Sequence, residues 1–173
     1  MTTIRLISLV LITVALGLIM ASGAMAQSEA HSGYNKIGIT AAFQSQQTDV
    51  LIPIWFGRYA VVVPSFYLIS ASDSYTDFGA GVALRGNLRT GKAVPYVGVR
   101  FAFLQFTPWD RDGQNDYIYG PLVGGEYFLD THFSVGVEVQ MNITKSAATS
   151  TRFGNPSRST FNTASAVTAT FYF

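Results

Sequence analysis

Four short stretches carry residue types that could do chemistry. Gly86-Asn87-Leu88-Arg89-Thr90-Gly91-Lys92 nearly spells a phosphate-binding loop, in which backbone N–H groups cradle phosphates and a hydroxyl just after the lysine holds magnesium. The next residue is Ala93, and Val94-Pro95-Tyr96-Val97 starts a strand where that chemistry needs a helix N-terminus, so the stretch reads as a plain turn. His132 and Ser134 stand two residues apart and share a face of an extended chain, which would let an imidazole act as general base to a hydroxyl. Their place beside Asp130 instead favours a turn histidine and a structural serine. Asp110-Arg111-Asp112-Gly113-Gln114-Asn115-Asp116 is acidic enough to suggest calcium. Its glycine falls fourth rather than sixth, which misses the calcium-loop pattern and leaves a turn-forming loop. Asn142-Ile143-Thr144 matches a glycosylation sequon by chance. The absence of cysteine excludes disulfides, thiolate metal sites, a thiol nucleophile and a lipidated cysteine. No catalytic, cofactor-binding or metal-binding residue is assigned, and no cofactor is expected.

The elements that would position these groups are strands. In 173 residues, room for one domain, the chain is 49% hydrophobic but only 12% charged, against about 25% in soluble domains. That shortage disfavours a freely soluble enzyme, and a net charge of +1 offers no basic face for nucleic acid. Residues 1–26 read as a cleaved signal peptide: Arg5, an apolar run from Leu6 to Met20, and the small residues Ala24 and Ala26 flanking Met25 at the cleavage site. Residues 27–33 then form a short N-terminal periplasmic segment and 34–173 the folded domain. There the period is 2 rather than 3.6. Phe133, Val135, Val137, Val139, Met141 and Ile143 share one face, and Ser134, Gly136, Glu138, Gln140, Asn142 and Thr144 the other. Similar segments at about 36–44, 49–56, 60–71, 76–86, 94–106, 117–129 and 160–173 make eight strands, enough to close a small barrel.

Walked alternately up and down, the strands are joined on one side by 44–48, 72–75, 107–116 and 145–159, and on the other by 57–59, 87–93 and 130–131. Long loops outside and short turns in the periplasm are the outer-membrane habit. Both termini then lie on the periplasmic side. The polar face is built of Gly, Ser, Thr, Asn and Gln, which suits a narrow lumen better than a wet surface. Aromatics gather at the strand ends: Phe43, Phe106, Trp109, Tyr117 and Phe161 toward the loops, and Phe56, Tyr59, Tyr127, Phe133, Phe171 and Phe173 toward the turns. The chain ends Val167-Thr168-Ala169-Thr170-Phe171-Tyr172-Phe173, similar to the C-terminal insertion signal of bacterial outer-membrane proteins. With Gly120-Pro121, Gly125-Glu126-Tyr127 and the run 133–140, residues 34–173 resemble the small outer membrane β-barrel family, the OmpA- and OmpW-like eight-stranded barrels. The resemblance implies an all-β, eight-stranded, antiparallel, up-and-down transmembrane barrel behind a cleaved signal peptide. It places the protein in the outer membrane of a Gram-negative bacterium.

Arg85, Arg100, Glu126 and Glu138 fall on the inward faces of four consecutive strands. Charges at membrane depth must pair or meet water. They are expected to form a lumen charge network, with Arg100 as the nearest cation to both carboxylates, that plugs the barrel. The function expected is structural or surface-interacting and non-enzymatic; the alternative is a small OmpW-like channel for apolar or small solutes. Expected partners are outer-membrane lipids and, through Phe171 and Phe173, the assembly machinery, with the barrel a monomer. Pro53, Pro64, Pro95 and Pro121 fall in proposed strands, where a closed barrel has no edge to excuse a missing donor. Pro95 can begin its strand, and the other three imply bulges or strand ends.

Overall fold

The computed structural model describes residues 36–44, 47–71, 75–109, 113–150 and 152–173. The leader with Ala24 and Ala26, the segment 27–33 and the acidic residues Asp110 and Asp112 lie outside them. The described strands are β1 (Gly38–Gln44), β2 (Gln47–Leu51), β3 (Ile54–Phe56), β4 (Ala60–Ala71), β5 (Tyr75–Asn87), β6 (Ala93–Pro108), β7 (Gln114–Phe128), β8 (Phe133–Lys145) and β9 (Ser159–Tyr172). Except between β2 and β3, sequence neighbours pair antiparallel across their connections, and β1 pairs both with β2 (Thr40↔Leu51) and with β9 (Gly38↔Tyr172). The sheet therefore closes on itself without an edge. β2 and β3 both pair with β4 and form one stave, so nine strand segments make an eight-stranded antiparallel barrel.

The prolines explain where that stave breaks. Leu51↔Ser65 and Ile54↔Val62 keep a common register across the interruption, so Ile52 and Pro53 stand opposite Pro64 and Val63. The two residues without an N–H thus occupy adjacent rungs, but their missing donors face opposite sides of the stave, Pro53 toward β1 and Pro64 toward Ile52. Their carbonyls stay in use: Ile52 N–H donates to Pro64 O at 2.8 Å and Gly38 N–H to Pro53 O at 2.9 Å. Pro53 is a strand end, as expected. Pro64 and Pro121 are not: both lie inside continuous strands with no bulge. Around Pro121 the pairs Tyr119↔Ile143 and Leu122↔Gln140 hold register across the gap. Pro95 is the third residue of β6 rather than its start and pairs with Gly125.

The connections sort by length less than expected, because only the β8–β9 link is long and those at 45–46, 72–74 and 109–113 are as short as the turns at the opposite end. At the end carrying Tyr172 they are turns at 57–59, 88–92 and 129–132, the first helped by Gly57 at φ +69°. At the other end β8 and β9 are joined by a thirteen-residue connection, 146–158. The link between β6 and β7 is shorter than 107–116, because β6 runs on to Pro108 and β7 starts at Gln114.

The two faces of the wall have opposite chemistry. Val97, Val99, Phe101, Val123, Val135, Val137 and Val139 are exposed on the outside, while Thr40, Ser134, Glu138, Gln140, Thr144, Thr168 and Thr170 are buried within. This inverts the pattern of a soluble barrel. An apolar cluster of Trp55, Val61, Val63, Ala83, Val94, Tyr96, Leu122 and Tyr172 fills the turn-bearing end of the lumen. Three inward tyrosines each lie over a glycine directly across the ladder: Tyr67 over Gly79, Tyr96 over Gly124, Tyr172 over Gly38. A Cβ on those glycines would stand 2.1, 2.5 and 2.8 Å from the ring atoms. The missing side chains are what let large rings lie flat inside so narrow a barrel.

Candidate functional site

The polar lumen is the candidate site, and it is built in layers from the turn-bearing end upward. In the lowest layer Trp55 meets Phe128 and Tyr172 edge-on, each at 6.2 Å between ring centres. Lys36 Nζ sits 5.0 Å over the Phe128 ring and donates to Thr131 O at 3.1 Å. Trp55 Nε1–H donates to the Tyr172 hydroxyl at 3.3 Å, which donates in turn to Glu126 Oε1 at 2.7 Å. Ser134 Oγ donates to the same carboxylate oxygen.

Above it lies the charge layer. Arg85 Nη2 meets Glu138 Oε2 at 2.7 Å, with both side chains at or below 10% exposure. Glu138 also accepts from the Tyr96 hydroxyl at 3.1 Å and from Gln140 Nε2 at 2.7 Å. The Arg85 guanidinium stacks 4.6 Å over the Tyr96 ring, and Arg100 donates to Gln140 Oε1. Arg100, Gln140, Glu138 and Arg85 thus form one hydrogen-bonded chain in which the Glu138 carboxylate receives three donors, as a buried charge requires, while Arg85 Nε has no hydrogen-bond partner among the described residues.

Next to this layer the free space is about 20 Å³, room for about one water molecule. Toward the loops it widens to a cavity of about 200 Å³ lined by Asp49, Ser65, Arg100, Asn142, Arg152 and Phe153 among others. The long β8–β9 connection folds back onto the mouth of this cavity. Asp116, fully buried, accepts from Ala147 N–H at 2.9 Å and Ser150 Oγ at 2.7 Å. Arg152 ion-pairs with Asp77 and donates to the Tyr67 hydroxyl at 2.9 Å; that hydroxyl donates to Asp77 at 3.0 Å.

Of the four charges expected to meet, Arg85 and Glu138 are in direct contact and Arg100 reaches Glu138 only through Gln140. Glu126 belongs to the layer below, bonded to Tyr172 and Ser134. The expectation that Arg100 is the cation nearest both carboxylates is therefore corrected. Register rather than strand order decides it. Following the ladder from Glu138 leads to Gly124, Tyr96 and Asn87, which leaves Arg85 one inward step away and Arg100 two. Sequence reasoning missed Asp49, Asp77, Asp116 and Arg152. Asp77 shares the inward parity of Arg85 along β5 and is within reach of that pattern, whereas the sequence reading ends the 107–116 connection at Asp116. Arg152 sits in a long connection where no periodicity points inward.

The remaining candidates separate. His132 bonds Thr131 Oγ1 at 2.9 Å and stacks on Phe171, while Ser134 is buried against Glu126, so the two form no nucleophile–base pair. Residues 88–92 are a turn between β5 and β6 with no helix after them. Asp130 accepts backbone N–H bonds from His132 and Phe133, both at 2.7 Å, and these hold its carboxyl below the ordinary range. Because the folded value is depressed, the stabilisation is present above the unfolded value, about 3.9, and fades as pH falls through the folded one. An NMR titration of the Asp130 carboxyl is expected to give a midpoint below that of a model aspartate. A midpoint at or above it would show that the turn is not formed in this way.

The arrangement defines a class: a closed eight-stranded antiparallel barrel with apolar outside and polar lumen, the fold of the small outer-membrane barrels. No protein-family model matches the chain and no curated protein matches its sequence. Among solved structures it is similar to the N-terminal β-barrel domain of OprF from Pseudomonas aeruginosa, with a TM-score of 0.56 at 12% identity over 81% of this chain and 98% of that one. Neisserial surface protein A aligns at 12% identity over 79% and 92% of the two chains, with a TM-score of 0.48.

Proposed function

We propose that the chain is an integral protein of the bacterial outer membrane, exported behind residues 1–26, with no catalytic activity. Its barrel is a monomer with a structural or surface-interaction role, and its lumen is sealed. Both termini and the turns at 57–59, 88–92 and 129–132 face the periplasm, and the end with the long β8–β9 connection faces outward. Lipids cover the valine-rich wall, and Phe171 and Phe173 at the chain end serve assembly. The observation that carries the sealed lumen is the stack of two filled layers, from Trp55 and Tyr172 up to the Arg85–Glu138 pair, in which Trp55, Tyr96, Tyr172 and Glu138 are all buried. An eight-stranded wall leaves room for side chains and little else, and here the side chains are present and mutually bonded.

The test is electrical. The refolded barrel in a planar bilayer is expected to give no discrete conductance steps at moderate voltage. Steady steps of defined size, altered by Arg85→Gln, would overturn the sealed lumen and favour a small channel.

A further inference from the structure

The outward face carries a groove of about 560 Å³ near the turn-bearing end of β6, β7, β8 and β9. Its floor follows from the register. Pro95, Gly125, Val137 and Val167 stand on one line across the four staves, and Gly125 is the member of that line without a side chain. A Cβ there would meet nothing closer than 3.9 Å, so the space over Gly125 is left open by the sequence rather than filled by a neighbour. Tyr127, Val135 and Val137 stand around it.

Charge enters from one end. Arg89, exposed in the turn at 88–92, borders the groove, and Lys92 from the same turn holds its ammonium 5.3 Å over the ring of Tyr127. Glu126 also borders the groove, but its carboxylate is engaged by Tyr172 and Ser134. An apolar trough closed at one end by two cations matches an acyl chain below an anionic phosphate. We propose that this groove is a binding site for one anionic phospholipid of the leaflet on the turn-bearing side, with an acyl chain over Gly125 and the headgroup phosphate on Arg89 and Lys92. The inference rests on the membrane placement proposed above.

Native mass spectrometry of the full mature chain, refolded in detergent micelles with equal phosphatidylglycerol and phosphatidylcholine of identical chains, tests it. One phosphatidylglycerol should be retained with a preference of roughly fivefold or more, given the attraction of basic residues for anionic headgroups. Arg89→Gln with Lys92→Gln, both in an exposed turn, should bring the two lipids to parity. Gly125→Phe should lower retention of both several-fold. Equal retention by the unaltered barrel, no retained lipid, a preference that survives the charge changes, or unchanged binding in a folded Gly125→Phe barrel would each overturn the site. If Gly125→Phe does not fold, the charge variants decide. Failure of the membrane reading itself is distinguishable, because the unaltered chain would then form no heat-modifiable barrel in micelles.

Discussion

Replacing Arg85 with methionine is expected to destabilise the barrel by about 3–5 kcal/mol, the cost of stranding a buried charge. Glu138 would keep the Tyr96 hydroxyl and the Gln140 amide but lose its ion-pair partner in a layer at or below 10% exposure. Two comparisons make the result specific. Arg85→Met combined with Glu138→Gln should recover part of the loss, because the second change removes the uncompensated charge. Arg100→Met should cost less than Arg85→Met, about 1–3 kcal/mol, because Arg100 hydrogen-bonds the neutral Gln140, whose oxygen would lose one bond, and Glu138 would keep Arg85. Urea unfolding of barrels refolded into lipid vesicles measures all three. A cost below about 1 kcal/mol for Arg85→Met, as for a solvated surface pair, would mean that water reaches the charge layer and that the lumen is not sealed there.

That ordering of Arg85 over Arg100 marks the limit of what the sequence could say. Alternation puts Val137 and Gln140 on opposite faces, the small polar composition of one face and the aromatics at the strand ends turn the apolar face outward, and the structure agrees, with Val137 61% exposed and Gln140 4%. The eight staves were legible for the same reason: a strand's period of 2 is a local property that each segment declares by itself. Which inward residues meet depends on the stagger between staves, and a pattern read along one strand carries no information about it. The Tyr96–Gly124 and Tyr67–Gly79 partnerships are of this kind, since both members are visible in the sequence and their opposition appears only once register is known. The facing of Pro64 and Ile52 across the break between β2 and β3 is a third instance. Arg152 and Ser150 lay further from view, because a thirteen-residue connection has no period from which an inward direction could be read.

The outward face makes the other large prediction. Val139 is the middle residue of β8 (Phe133–Lys145), points outward at 44% exposure and stands between Val123 and Ser165 on the neighbouring staves. If the wall is immersed in lipid, Val139→Arg should cost about 2–4 kcal/mol, as for a cation on the lipid face near mid-depth. The penalty should shrink with distance from the middle. At Phe133, the strand's outward residue at the turn-bearing end, the charge itself should cost about 0–1 kcal/mol, since an arginine there reaches headgroups and water. Gln140→Leu supplies the control on the opposite face: it adds no charge to the lipid side but cuts the bridge from Arg100 to Glu138, so it should destabilise through the lumen alone. The same vesicle unfolding titrations read each value. An outer wall facing water would reverse the pattern, because an arginine at Val139 would then be solvated at little cost and no dependence on position along β8 would appear. A flat, near-zero response at Val139 and Phe133, with a full loss at Gln140, would therefore remove the bilayer from the description of this barrel while leaving its internal bonding intact.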